Sequence, residues 1–172
     1  MFATLESIVS RPTQKLAFAA LLLLPVLDVA NATSATSTFG VQLTVASACV
    51  INSAGAIAFT NSGVLVGNVD ATSTVSVQCT NTTAYNIGLD AGLGSGASVG
   101  TRKLTSGSNT INYTLYCDSA HQIVWGNTVG TNTVAGTGNG DPQSYTVYAR
   151  VPAQTTPAAG TYNDTITVTV TY

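Results

Sequence analysis

The last eight residues of the 172-residue chain alternate strictly between threonine and a residue of another type. Because successive side chains of a β-strand point to opposite faces, this alternation predicts a half-buried strand over Thr165–Tyr172. β-Branched residues at every position but the last favour a pleated sheet over a helix. No further alternating segment follows, so we expect the free edge of this strand to be covered by an earlier segment or by another molecule. The predicted apolar face consists of Ile166, Val168, Val170 and Tyr172.

The N-terminal residues have the layout of a secretory signal peptide. Arg11 and Lys15 are basic, residues 16–27 are largely apolar, and Ala30-Asn31-Ala32 gives a small-x-small cleavage pattern. A membrane anchor is the alternative interpretation, but the apolar run is short for crossing a bilayer. We therefore predict that residues 1–32 are removed on export.

The charged residues after position 32 argue against several classes of function. Five acidic and three basic residues give a net charge of −2 there, without the basic stripe that typically binds nucleic acid. The acidic residues are scattered singly, and His121 is the only histidine. We interpret His121 as a solvated loop residue, because no second histidine and no Gly-x-Ser-x-Gly motif accompany it. The sequence thus predicts no catalytic residue, no metal site and no cofactor.

Eight or so short alternating segments, separated by turn residues, predict an all-β sandwich or barrel of one domain. One predicted strand is 56–59, and residues 127–142 are predicted to be a loop. Arg102-Lys103 opens a short charged strand that we interpret as a sheet edge protected by its charges. Several aromatic residues either line a carbohydrate surface or pack in the core and across strands. These are Tyr113, Tyr116, Trp125, Tyr145 and Tyr148.

The segment Thr36–Val45 also alternates, and it allows two hypotheses. In the first it is an ordinary opening strand that pairs within its own domain. In the second it is a donor strand that leaves its subunit and fills a neighbour's groove, where main-chain bonds give affinity and alternate side chains fill pockets. The apolar side chains of this segment are Phe39, Val41, Leu43 and Val45.

Three cysteines allow three possible disulfide pairings in an exported protein. Cys49 and Cys79 each end an alternating run. A bridge between them would close a loop of about 30 residues, worth about 3–4 kcal/mol in the loop-entropy model. Cys117 would then be unpaired.

Four stretches of the chain together resemble the spore coat protein U domain family, which includes the Csu-type subunits of archaic chaperone–usher pili. The matching stretches, which span most of the chain after position 32, are 39–45 leading to Cys49, 75–79, 113–118 running into 124–126, and 160–165 ending in 168–172.

The resemblance implies an immunoglobulin-like, pilin-type sandwich that lacks its last strand. It further implies a Cys49–Cys79 disulfide, a periplasmic chaperone that lends the missing strand, and an outer-membrane usher that exchanges it for the next subunit's N-terminal segment. Cys117 departs from the family pattern, where we expect Ser or Thr.

On this basis we predict a structural subunit of a secreted surface fibre that serves adhesion or biofilm formation. Residues 33–47 are the predicted donor segment and 48–172 the predicted sandwich. The donated side chains are those of Phe39, Val41, Leu43 and Val45, and the acceptor groove is lined by the apolar face of Thr165–Tyr172. The alternative is a self-contained secreted coat or carbohydrate-binding module.

Overall fold

The computed structural model describes residues 32–60 and 62–172. The predicted signal peptide therefore lies, except for Ala32, outside the described residues. One compact unit runs from Leu43 to Tyr172, and residues 32–42 are not part of it. Within the described ranges, no helix has the length and apolarity needed to cross a membrane.

Eight strands make up the secondary structure of the described residues, which confirms the all-β prediction. They are β1 Cys49–Ala54, β2 Val69–Cys79, β3 Ala84–Leu89, β4 Arg102–Ser106, β5 Asn109–Tyr116, β6 Val134–Thr137, β7 Gln143–Val151 and β8 Val168–Thr171. The last strand is shorter than the predicted Thr165–Tyr172, since residues 165–167 and Tyr172 are not part of it. The predicted loop 127–142 contains β6, whose four residues are too short a run to stand out in the sequence.

The strands form two antiparallel sheets that pack face to face as a sandwich. One has five strands in the order β1-β2-β7-β5-β4, and the other has three in the order β6-β3-β8. Alternation along the paired strands β2 and β7 places mostly apolar side chains inward and mostly polar side chains outward. The buried core contains Leu65, Val75, Val77, Cys79, Tyr85, Ile87, Leu89, Tyr113, Leu115, Trp125, Val147, Ala149 and Val151.

The Cys49–Cys79 disulfide is present, as the family resemblance implied. The two cysteines are direct cross-strand partners, at the start of β1 and the end of β2. Cys117 is a free thiol that is half-buried, and its Sγ lies 3.6 Å from the carbonyl oxygen of Ile123. Burial, with a smaller contribution from Asp118, raises the pKa of the Cys117 thiol. A thiol held in this way is a poor nucleophile at neutral pH, because the thiolate is the reactive form.

Candidate assembly interface

Strand β8 is an edge strand of the three-stranded sheet. It pairs with β3 on one side, from Leu89↔Val168 to Asn86↔Thr171, and no other strand of the described chain pairs with its second side. Just before β8, the amide of Asp90 donates to the Thr167 carbonyl oxygen at 3.2 Å. Thr167 therefore directs its backbone toward β3.

The free side of β8 presents the backbone of its apolar residues. In an antiparallel pair, successive residues direct their N–H and C=O groups alternately toward the partner strand and away from it. Because Thr167 faces β3, alternation gives the same direction to Thr169 and Thr171. Ile166, Val168 and Val170 then offer their backbone donors and acceptors to the open edge.

The side chains of these residues are only partly covered. Ile166, Val168 and Val170 pack against the core but remain half-buried, whereas inward residues of the larger sheet such as Val77 and Leu115 are fully buried. Tyr172, beyond the end of β8, is 61% exposed. The structure thus brings three of the four predicted acceptor residues onto one inner face and leaves Tyr172 outside it.

A second sheet edge lies close to β8. Strand β1 is the edge of the five-stranded sheet and pairs with β2 alone, and it is the strand of that sheet that approaches β8. The segment 56–59 after β1 is not the predicted strand, because no neighbouring strand of the described chain pairs with it. Its Ile57 and Phe59 nevertheless pack against the core and remain half-buried. The two sheets therefore meet at β1 and β8 without strand pairing between them.

A cleft of about 660 Å³, lined by both apolar and polar residues, lies beside the segment 57–60 and the ends of β2 and β7. One wall is formed by residues 156–163, which lead toward the Ile166 edge. Phe59 packs edge-to-face on Tyr113 at a ring-centroid distance of 6.3 Å beside the cleft. The apolar part of this lining suits apolar side chains delivered by an extended segment. Its apolar lining includes Ile57, Phe59, Leu65, Val69, Leu104, Ile111 and Val151.

The predicted donor segment is not part of a sheet. Residues 32–48 form no strand. The side chains of Phe39, Val41, Leu43 and Val45 are 88%, 86%, 86% and 74% exposed, although they are as apolar as core residues. Whether this segment acts as an ordinary first strand or as a donor strand therefore stays a prediction.

Strand β4 is an edge strand of the five-stranded sheet, as predicted, but Arg102 does not protect that edge with an exposed charge, and that part of the interpretation is wrong. The residue is completely buried at the start of β4. Its guanidinium donates to the carbonyl oxygens of Leu89 at 3.0 Å, Asp90 at 2.7 Å, Val99 at 2.8 Å and Trp125 at 2.7 Å. A buried charge is tolerated when hydrogen bonds satisfy it, and the planar guanidinium reaches several carbonyls at once.

Asp90 follows β3 and ties it to the approach of β8. Its Oδ1 accepts hydrogen bonds from the amides of Gly92 at 3.0 Å and Thr167 at 2.9 Å. Burial alone would raise the pKa of Asp90. The hydrogen bonds from Thr167 and Gly92, together with the Arg102 charge, outweigh that effect and hold the pKa of Asp90 below its ordinary value.

This lowered pKa predicts acid sensitivity of the edge. A carboxyl whose pKa is lower in the folded state contributes stability above its unfolded pKa of about 4, and this contribution is lost as the pH falls through the folded pKa. We expect thermal stability to be flat between about pH 5 and 8 and to fall below about pH 4. Thermal unfolding followed by circular dichroism over this range checks the prediction, and a Tm that does not change down to pH 2 would contradict it.

His121 is packed rather than solvated, so the interpretation as a solvated loop residue is wrong. Its side chain is 9% exposed. The ring packs edge-on against Tyr116 and Tyr148, at centroid distances of 5.2 and 6.2 Å, on the outer face of the five-stranded sheet. Its Nε2 lies 3.9 Å from Asp70 Oδ1, and Asp70 forms a two-point ion pair with Arg150.

The five aromatic residues do not share one surface. Trp125 and Tyr113 are buried in the core. Tyr145 lies on the inner face of β7 and its hydroxyl is hydrogen-bonded to Tyr85, while Tyr116 and Tyr148 surround His121 outside. The described residues also contain no cluster of three or more metal-ligating side chains.

Comparisons with known proteins agree with this fold. The family model of the Spore Coat Protein U domain matches residues 35–169. "Protein U" of Myxococcus xanthus is 36% identical over 158 residues, which cover 83% of this chain and 88% of that protein. A similar fold occurs in the crystal structure of the CsuC–CsuE chaperone–tip adhesion subunit pre-assembly complex from the archaic chaperone-usher Csu pili of Acinetobacter baumannii. The TM-score is 0.56 at 23% identity, covering 75% of this chain and 41% of the matched chain.

The match to this pilus complex confirms the predicted pilin-type, immunoglobulin-like sandwich. The family model and the Myxococcus relative both cover more than two thirds of the chain. The chain therefore belongs to the Spore Coat Protein U domain family.

Proposed function

We propose that this chain is a structural, non-enzymatic subunit of a surface fibre that grows by donor-strand exchange. In this scheme residues 33–47 of one subunit insert between β1 and β8 of the next. The proposal is carried by one observation: a sandwich with an open, half-buried apolar edge occurs in the same chain as an unpaired apolar segment of matching alternation.

Backbone hydrogen bonding supports insertion beside β8. The free groups of Ile166, Val168 and Val170 are spaced as one side of a strand ladder, and a donor strand supplies the other side. Phe39, Val41, Leu43 and Val45 then point into the groove, since they share one face of an extended segment. Each of these side chains gains about 1.5–3 kcal/mol when it is moved from water into an apolar site.

The relatives support the same assembly route. The Csu complex pairs a subunit with a chaperone before assembly. By analogy, we propose a periplasmic chaperone that covers the groove after export, an outer-membrane usher that catalyses the exchange, and further pilin copies as the partners in the fibre. The protein would then reside on the cell surface, where such fibres serve adhesion and biofilm formation.

A coat layer is the second candidate product, because the family description names a spore coat. It would be built from the same subunit contact. Electron microscopy of the assembled protein separates the two products, since a pilus gives isolated fibres and a coat gives sheets or a continuous shell.

The chain without residues 33–45 tests the proposed exchange. This truncated subunit has an empty groove and no donor, so we expect it to stay monomeric and form no fibres. A synthetic peptide with the sequence of residues 36–45 should bind it and raise its Tm, since a ligand that binds only the folded state stabilises it. Fibres of normal length from the truncated chain, or a Tm indifferent to the peptide, would refute the exchange.

A further inference from the structure

The segment that leads into β8 is held by the subunit's own residues. Asn163 and Thr105 of β4 exchange two backbone hydrogen bonds, of 2.8 and 3.0 Å. The carboxylate of Asp164 then accepts three hydrogen bonds. Its Oδ2 accepts from the Tyr113 hydroxyl at 2.7 Å, and its Oδ1 accepts from the amides of Leu93 and Thr165, each at 2.8 Å.

The surroundings of Asp164 are shaped to hold this carboxylate. Gly92 has a φ of +77°, which favours glycine, and a Cβ at this position would overlap Asp164 Oδ2. Burial and the bond to Asp164 raise the pKa of Tyr113, so the phenol keeps the proton that it donates. Two backbone amides and the Tyr113 hydroxyl thus donate to one carboxylate. Hydrogen bonds to an ionised acceptor are stronger than those between neutral groups, so these contacts anchor Asp164.

All of these contacts come from the domain and not from the side on which a donor would lie. Asp164 is fixed by β5 and by the loop after β3, and Thr167 is fixed by Asp90. Between them, Ile166 finds no backbone hydrogen-bond partner among residues 32–60 and 62–172. The anchors therefore hold the edge in its strand-like path and leave its free side open.

We propose that Asp164, acting with Tyr113, is a positioning residue that keeps the acceptor edge in place before a donor arrives. This inference rests on the proposed donor-strand exchange. It assigns to Asp164 an effect on the rate of donor entry and little effect on the strength of the finished fibre.

The edge strand is held by different contacts before and after a donor is inserted. In the empty subunit, the edge strand lacks half of its hydrogen bonds and is prone to local opening. The contacts of Asp164 therefore determine the fraction of subunits whose edge is in place to bind a donor. The apparent association rate falls with the competent fraction. Once a donor is inserted, its own ladder and buried side chains hold the same edge, and the anchor contributes little more.

The test uses the full chain at nanomolar concentration and a fluorescein-labelled peptide with the sequence of residues 36–45. Association is followed by fluorescence anisotropy for the unchanged chain, Asp164→Asn and Tyr113→Phe. Asp141→Asn is the matched control, since it makes the same charge change in an exposed loop. The urea concentration that unfolds assembled fibres is measured for each variant.

We expect the association rate constant to fall at least about ten-fold in Asp164→Asn. A fall of this size corresponds to an edge that is in place in about a tenth of the chains. Tyr113→Phe, which keeps the buried ring and the two amide bonds, should show a smaller fall. Asp141→Asn should not change the rate, and the fibres of all variants should unfold at the same urea concentration.

Two results would overturn the assignment of Asp164. One is association of both variants at the unchanged rate. The other is a lower association rate constant together with a comparable drop in the urea concentration that unfolds the fibres. That combination would mean that Asp164 stabilises the domain in general and has no special effect on donor entry. Failure of the unchanged chain to bind the peptide would instead refute the proposed exchange itself.

Discussion

Replacing Val41 with aspartate is expected to abolish fibre assembly while leaving the subunit folded. Val41 is 86% exposed in the subunit, so a carboxylate there disturbs nothing in the domain. After exchange, the same side chain would be buried in an apolar groove. The effective penalty for burying an unpaired ion is several kcal/mol, and about 3 kcal/mol already lowers affinity more than a hundredfold.

Gln42→Asp is the matched control for this substitution. It introduces the same charge one residue away, on the polar face of the same segment. Because alternate side chains of a strand point in opposite directions, Gln42→Asp should assemble at close to the normal rate. Fibre yield by electron microscopy and sedimentation compares the two. Equal yields from both variants would mean that this segment does not enter a groove with alternating faces.

Arg102→Met is expected to give the largest loss of subunit stability. It removes the donor to four carbonyl oxygens, and the bonds to Leu89 and Trp125 are buried. Each buried acceptor left without a partner costs about 1–3 kcal/mol, so these two carbonyls alone cost about 2–6 kcal/mol. Since domains are stable by only about 5–15 kcal/mol, we expect little soluble protein, or a large drop in the urea midpoint.

Lys103→Met is the control for Arg102. Lys103 is the next residue of β4, is only half-buried, and makes one exposed hydrogen bond, to the carbonyl oxygen of Ser95. Its loss should change the free energy of unfolding by less than about 1 kcal/mol. Urea denaturation of both variants in the presence of the 36–45 peptide checks this contrast. If both changes had the same small effect, Arg102 would not hold the strand ends together as inferred.

The sequence predicts the parts of this fold that depend on local periodicity. Strands β2, β5, β7 and β8 show period-two alternation. The ends of β5, β7 and β8 lie within about three residues of their alternating runs, whereas β2 begins five residues before its alternating run at 74–79. The Cys49–Cys79 pairing was one of three that the residues allowed, and the family resemblance selected it. These features need only the strand geometry and the match to known motifs.

The features that the sequence missed depend on contacts between distant positions. Arg102 looks like an edge charge because its acceptors are backbone carbonyls, which no residue type reveals. His121 looks solvated because the two tyrosines that enclose it come from different strands. The Asp164 anchor does have a sequence signal, the Gly-x-Tyr-x-Asp-Thr stretch at 160–165, but its partners Leu93 and Tyr113 do not follow from that stretch. The cleft lies between strand residues and the irregular segments 57–60 and 156–163, which have no period to detect.

The measurement that tests donor-strand exchange most directly is a cysteine cross-link in the assembled fibre. Val41→Cys is combined in turn with Ile166→Cys, Val168→Cys or Val170→Cys, in a Cys117→Ser background that removes the free thiol. Neighbouring strands bring Cα atoms to about 4.5–5.5 Å, within the range that a disulfide bridges. For at least one combination we predict a ladder of covalent dimers and higher oligomers on non-reducing gels. A bridge confined to single chains, or no bridge in any combination, would contradict the account.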